Sequence, residues 1–251
     1  MDLCKKLCKQ NQNTTQCCGY ILGPIAIHQH RFVVYPVESC NDCEGWSTVS
    51  LHDLLISGTF RDQRADPKLP QQLNIAATVA SSVLQLHDTP WMPKILTSND
   101  IYFMRRNGVL SYDQVDMAKR LPDSPGLSCQ DPNDYNWRAI KNPTVFSVGV
   151  LLIELILCET LEGRCPSDNL STSKLPSPLL RSSTVDHILY QVECAATDQY
   201  RDAVNSCLKC NFGTDPSLTD EKFREGMYNY VIAPLKDSSQ MCRRVSGEEY
   251  I

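Results

Sequence analysis

Between Val145 and Leu157 the chain reads VFSVGVLLIELIL, thirteen residues in which Glu154 is the only ionisable side chain. A segment that is apolar on nearly every side needs cover on every side, so this run predicts a central buried helix. It is too short to cross a bilayer, which takes about 20 predominantly apolar residues. A chain of 251 residues that is 42% hydrophobic and 21% charged can supply the partners to surround it. A carboxylate inside such a helix must be hydrogen-bonded or paired to be tolerated.

The flanking patterns predict the cover. Ser50 is placed as an N-cap and Gly58 as a C-terminal stop around SLHDLLISG. Leu69, Leu73, Ala76, Ala80 and Val83 recur at steps of four and three, one face of an amphipathic helix, with Pro70 in its first turn. Asn107-Gly108 between two apolar runs predicts a hairpin. Two shorter helices are expected near Val185–Ala196 and Tyr200–Cys210, and a last one from a Ser217/Asp220 capping box to about Pro234. Residues 111–143 and 165–183, rich in Pro and Ser, predict long loops. Two β-like runs, Ile21–Ile27 and Arg31–Tyr35, predict a small hairpin near the start. The expected fold class is mainly α (α+β), divided into a segment 1–45, a helical domain 46–235 and a tail 236–251.

A net charge of −5 without a long basic run argues against a nucleic-acid partner. The opening residues carry no apolar h-region, so an intracellular protein with mostly reduced cysteines is expected. Among its 13 cysteines, Cys40/Cys43 and Cys207/Cys210 form two CxxC pairs, the building blocks of a tetrahedral zinc site and of a zinc-stabilised interaction module. Their separation of more than 150 residues is far from the usual spacing of about 12 to 20. Cys207 also falls in an expected helix, where it reads as a small core residue. Cys4, Cys8, Cys17 and Cys18 lie in the poorly patterned start. The histidines His28, His30, His52, His87 and His187 show no metal-ligand spacing. His87 ends the long helix, where a histidine complements the helix dipole. Trp46, Trp91 and Trp137 are expected to anchor loops.

Taken in order, these segments resemble the large lobe of a protein kinase over residues 46–235, preceded by a small, incomplete β portion. SLHDLLISG resembles the segment after a kinase hinge, and LNIAATVASSVLQLHD the long helix before the catalytic loop. TVFSVGVLLIELILCETLEG resembles the central helix written D-V-x-S-F-G-V-x-L-x-E-L. Ser147, Gly149, Val150, Glu154 and Leu155 fit that pattern, and Thr144 stands where it has Asp. The chain is also similar to a fungal family of unknown function whose kinase-like region often follows a helical domain related to prion-inhibition proteins. Ala80-Ser81-Ser82, LQLHDTPW, Asp100–Phe103, NPTVFSVGVLLIEL, AVNSCLKCNF and VIAPL carry that similarity.

The kinase resemblance has chemical consequences. Phosphoryl transfer needs a Gly-rich loop, a strand lysine, a catalytic-loop Asp, an Asn for metal and a metal-binding Asp before Phe-Gly. The resemblance lays the catalytic-loop signature on Pro93 to Asp100, which puts Ile95 at the proton-accepting position. No G-x-G-x-x-G occurs, and 45 residues are too few for a five-stranded small lobe. The expectation is a catalytically inactive, kinase-like binding or regulatory domain, without a cofactor, whose partner is another protein in fungal signalling or self-recognition. The rival is a divergent kinase that holds a magnesium nucleotide on Asp100 and Asp113, although Gln114 and Val115 follow the latter instead of Phe-Gly. In the kinase pattern the glutamate matching Glu154 pairs with an arginine; Arg138, Arg164 and Arg201 are candidates here, with Arg201 favoured.

Overall fold

The computed structural model describes residues 19–22, 31–34, 45–59, 69–87, 89, 92–118, 140–161, 182–212 and 216–245. The chain forms two compact units, Met1–Trp46 with Leu121–Ser124, and Ser47–Arg120 with Pro125–Ile251. The first contains the antiparallel hairpin of β1 (Gly19–Leu22) and β2 (Arg31–Val34), with Gly19 opposite Val34. Its first strand ends at Leu22, earlier than the apolar run suggests, just ahead of Gly23 and Pro24, a pair disfavoured inside strands.

The second unit, which takes up β3 (Trp46–Ser50) from Ser47, continues with α1 (Leu51–Ile56), α2 (Leu69–Leu86), β4 (Ile101–Arg106), β5 (Val109–Met117), α3 (Pro143–Leu157), α4 (Ser182–Ala195), α5 (Asp198–Lys209), α6 (Glu221–Met227), a π-helical turn (Tyr228–Ile232) and α7 (Ala233–Val245). It is mainly α with a three-stranded antiparallel sheet in the order β3-β4-β5. No helix among the described residues is long and apolar enough to cross a membrane.

Local chemistry sets these elements. The Ser50 side chain accepts the Asp53 N–H at 3.1 Å to start α1, and Gly58, at φ +72°, follows its end. On α2 the predicted stripe is the buried one, with Leu73, Ala76, Ala80 and Val83 wholly enclosed. Asn107 and Gly108 both take positive φ, 49° and 84°, as a two-residue I′ turn requires. Strand β5 extends to Met117, through residues expected in a loop. The reason is an irregularity: Phe103 faces Val115 but Met104 faces Ser111, so Tyr112, Asp113 and Gln114 bulge out and the alternation is lost.

Helix α3 is the predicted buried centre. Every residue from Val145 to Ile156 except Val150 is buried, against α2, α4 and α5. Close approach to α5 depends on Gly149, where a Cβ would lie 2.9 Å from Cys207 Cβ. The enclosed Tyr200 hydroxyl donates to the Leu152 carbonyl at 2.8 Å.

Glu154 is buried and its Oε1 accepts the Leu161 N–H at 3.0 Å. The favoured pairing with Arg201 does not form. Arg201 Nη1 lies 2.6 Å from Glu193 and Nη2 2.9 Å from Asp202. Tyr200, Ala203, Val204 and Cys207 face α5 into the core, and Arg201, about 100° further round, is turned away from it. Arg138 and Arg164 lie outside the described residues.

The C-terminal helix departs from expectation at both ends. Asp220 alone caps α6, accepting the Phe223 N–H at 2.8 Å, while Ser217 Oγ accepts from Thr219 N–H. The helical path then passes Pro234, the expected end, and reaches Val245, so residues 236–245 of the expected tail are helical. Ala233 N–H donates to the Tyr228 carbonyl five residues back, so Pro234 sits where the ladder changes register. Leu235, Ser238 and Ser239 of α7 are buried; the helix packs on α2 and α5, with Ser239 Oγ 3.5 Å from the Pro70 carbonyl and Ser238 Oγ donating to Gln199 Oε1 at 2.9 Å.

Two expected outcomes follow from this packing. A Cβ on Gly226 would meet the Phe212 carbonyl oxygen at 2.6 Å, so Gly226→Ala should cost about 1–3 kcal/mol in denaturant unfolding, as overpacking does. Glu154→Ala withdraws the acceptor of the buried Leu161 N–H and should cost at least about 1–3 kcal/mol. Glu154→Gln, which keeps an oxygen acceptor, should cost less in the same measurement.

Candidate functional site

The first turn of α3 ties together two distant loops. Asn142 caps it, with Oδ1 accepting the Val145 N–H at 3.0 Å while Nδ2 donates to the Pro216 carbonyl at 2.8 Å. Thr144 Oγ1 donates to the Lys94 carbonyl at 2.8 Å, and Ser147 Oγ accepts the Leu96 N–H at 2.9 Å. Between those anchors Ile95 is 9% exposed and Leu96 2%, so the segment is held from its backbone and from its alkyl side chains at once. One turn later Asp100 Oδ2 accepts both the Thr97 N–H at 2.9 Å and the Thr97 hydroxyl at 2.7 Å, closing a capping box on the 3-10 turn Ser98–Asp100.

Beside these ties lies an open cleft of about 500 Å³. Its walls are the end of α2 at His87 and Thr89, the stretch Met92 to Lys94, the stretch Lys141 to Thr144, and the loop Pro216 to Thr219. That volume is within the range of small-molecule sites, about 300–1,000 Å³. The lining is apolar at Met92, Pro93, Pro143, Pro216 and Leu218, and cationic at Lys94 and Lys141. Both lysines are exposed, with Lys141 Nζ 3.4 Å from Asn211 Oδ1. His87 Nδ1 donates to the Leu84 carbonyl at 2.7 Å, which fixes its ring at the rim. No carboxylate occurs among the described lining residues.

Of the residues singled out by the sequence, His87, Pro93 and Thr144 line the cleft, and the candidate metal ligands among the described residues fall elsewhere. Asp113 is exposed in the β5 bulge beside Phe103 and Met104, whereas Asp100 precedes β4 and its carbonyl accepts the Ala118 N–H. About three residues of ladder, or ~10 Å, separate them. Cys207 and Cys210 are both buried against α3 and its capping loop. Burial drives the Cys207 thiol far above its usual range and pushes Cys210 up to about 11. Cys40 and Cys43 lie outside the described residues. Among the described residues no group of three or more His, Cys, Asp or Glu side chains is placed to hold a metal ion. His52 Nδ1 lies 3.5 Å from Ser98 Oγ and His187 is exposed beside Gln191, while Trp46 is exposed. His28, His30, Trp91 and Trp137 lie outside the described residues.

The cleft itself left no mark in the sequence. Lys94, Lys141 and the Pro216 loop are joined only by the fold, and no spacing rule connects positions so far apart.

The buried thiols set an alkaline limit. Their folded pKa values exceed the ordinary 9.0, so unfolded chains lose these protons first as pH rises. Tyr200, raised by burial from 10.0, acts in the same direction. Stability from these groups is full below about pH 9 and declines as pH climbs toward 11 and beyond. Urea unfolding at pH 8, 9.5 and 10.5 should show that decline, and Cys210→Ala should flatten it between pH 9 and 11.

A family described as a domain of unknown function (DUF7580) matches residues 2–242. No curated protein matches the chain.

Proposed function

The chain belongs to this DUF7580 family, and within it we propose a catalytically inactive, kinase-like domain that acts by binding rather than by phosphoryl transfer. One observation carries the reading. The segment that the kinase resemblance equates with the catalytic loop is locked to α3 through Thr144 and Ser147, with the Ile95 side chain sunk in the core. A kinase keeps at that position the carboxylate that takes the substrate hydroxyl proton. A branched alkyl group has no lone pair to offer, and the two hydrogen bonds hold it in place. The order of elements supports the same reading: a long helix, a hairpin, a buried central helix whose Ser147 and Gly149 both make close contacts, then smaller helices. The exposed face of this locked region is the cleft, which offers a ligand cationic and apolar contacts. The similarity to a fungal family suggests signalling or self-recognition through a protein partner.

The purified chain, incubated with labelled ATP and Mg²⁺, should incorporate no label and transfer none to generic protein substrates. Incorporation that is lost in Asp113→Ala would overturn the reading in favour of a divergent kinase.

A further inference from the structure

We propose that the cleft at the start of α3 binds a small organic anion, a phosphate ester or carboxylate carried on an apolar body, through Lys94 and Lys141. The inference deepens the binding reading above and rests on it. The two lysines come from segments 47 positions apart in the chain, yet both are held on one wall system by the same few bonds. The Lys94 carbonyl receives the Thr144 hydroxyl, and Lys141 directly precedes the buried cap Asn142. Their backbones are therefore held in place while both residues are exposed, with Lys141 Nζ 3.4 Å from Asn211 Oδ1.

Two like charges on the walls of one cleft oppose each other, and an anion bound beside both relieves that opposition. The described lining contains no carboxylate to do so. In a chain of net charge −5 the described lining carries two cations, which favours small anions there. The α3 dipole adds to the same sign. Pro143 brings no N–H to the first turn, so recognition falls to the lysines as point charges and not to a backbone cradle. Met92, Pro143 and Leu218 then favour an anion with an apolar body over a bare one.

The test is an NMR titration of the full ¹⁵N-labelled chain with four probes: 1-naphthyl phosphate, 1-naphthoate, neutral 1-naphthol and inorganic phosphate. The expected result is saturable shifts around Lys94, Lys141 and Leu218 with the first two probes, and at least about tenfold weaker binding of the last two. The tighter of the two naphthyl anions identifies the head group. The double variant Lys94→Gln/Lys141→Gln should weaken binding at least about tenfold at an unchanged melting temperature, and Lys209→Gln, outside the cleft, should leave it unchanged. Affinity should also fall as salt is raised. Shifts absent from the cleft, equal binding by naphthol, or undiminished binding by the double variant would overturn the proposal. Label transfer from ATP is a separate readout, so inactivity in that assay with no binding here would reject the anion site alone.

Discussion

A helix with no wet face has to be enclosed along its whole length, and its ends must then satisfy their backbone groups without relying on bulk water. In α3 that constraint organises its surroundings. Asn142 caps the start and reaches across to the Pro216 loop, while Cys158, in the left-handed conformation at φ 56°, turns its N–H back to the Glu154 carbonyl. Glu154, a charge amid alkyl groups, captures the Leu161 N–H of the departing chain. Each of these polar devices fastens a loop, and the helices α2, α4 and α5 close over what remains. The cleft is one product of this fastening: its four wall segments meet where the polar end of an apolar rod comes to the surface.

Much of this was legible before the structure. The buried run, the stripe on α2, the Ser50 cap and the Asn-Gly turn each rest on a short-range rule, and each holds. The misses have physical causes too. Strand β5 was hidden because its bulge places Asp113 and Gln114 side by side in solvent, which destroys the period of two. Helix α7 was cut short at Pro234 because proline removes a donor from an α-ladder, a penalty that sequence rules assign without knowing that the ladder changes register there. The Arg201 pairing failed because α5 points the neighbouring Tyr200 inward.

The site was far less legible than the fold. Ile95 could be placed by resemblance, but the lysines could not be connected to each other by any local pattern. Charge recognition at an open cleft requires only that cations converge, and convergence belongs to tertiary structure. The cysteines show a second kind of signal. On α5 the core reading of Cys207 holds, with the helix burying Cys207 and turning at Cys210, whose φ of 49° ends it.

The π turn at Tyr228–Ile232 bears on how the last rod finds its neighbour. Phe223, Met227, Val231, Leu235 and Ser239 are buried at a strict spacing of four. An α-helix advances about 100° per residue, so four such steps would wind the buried line through about 160° and off any single partner. A wide turn absorbs one residue's worth of rotation and reduces the winding to about 60°, within the width of an ordinary apolar stripe. The turn acts as a spacer in phase: it lengthens the chain by a residue while α7 keeps the same meridian toward α2. In this rod, length and azimuth are set by different parts of the sequence.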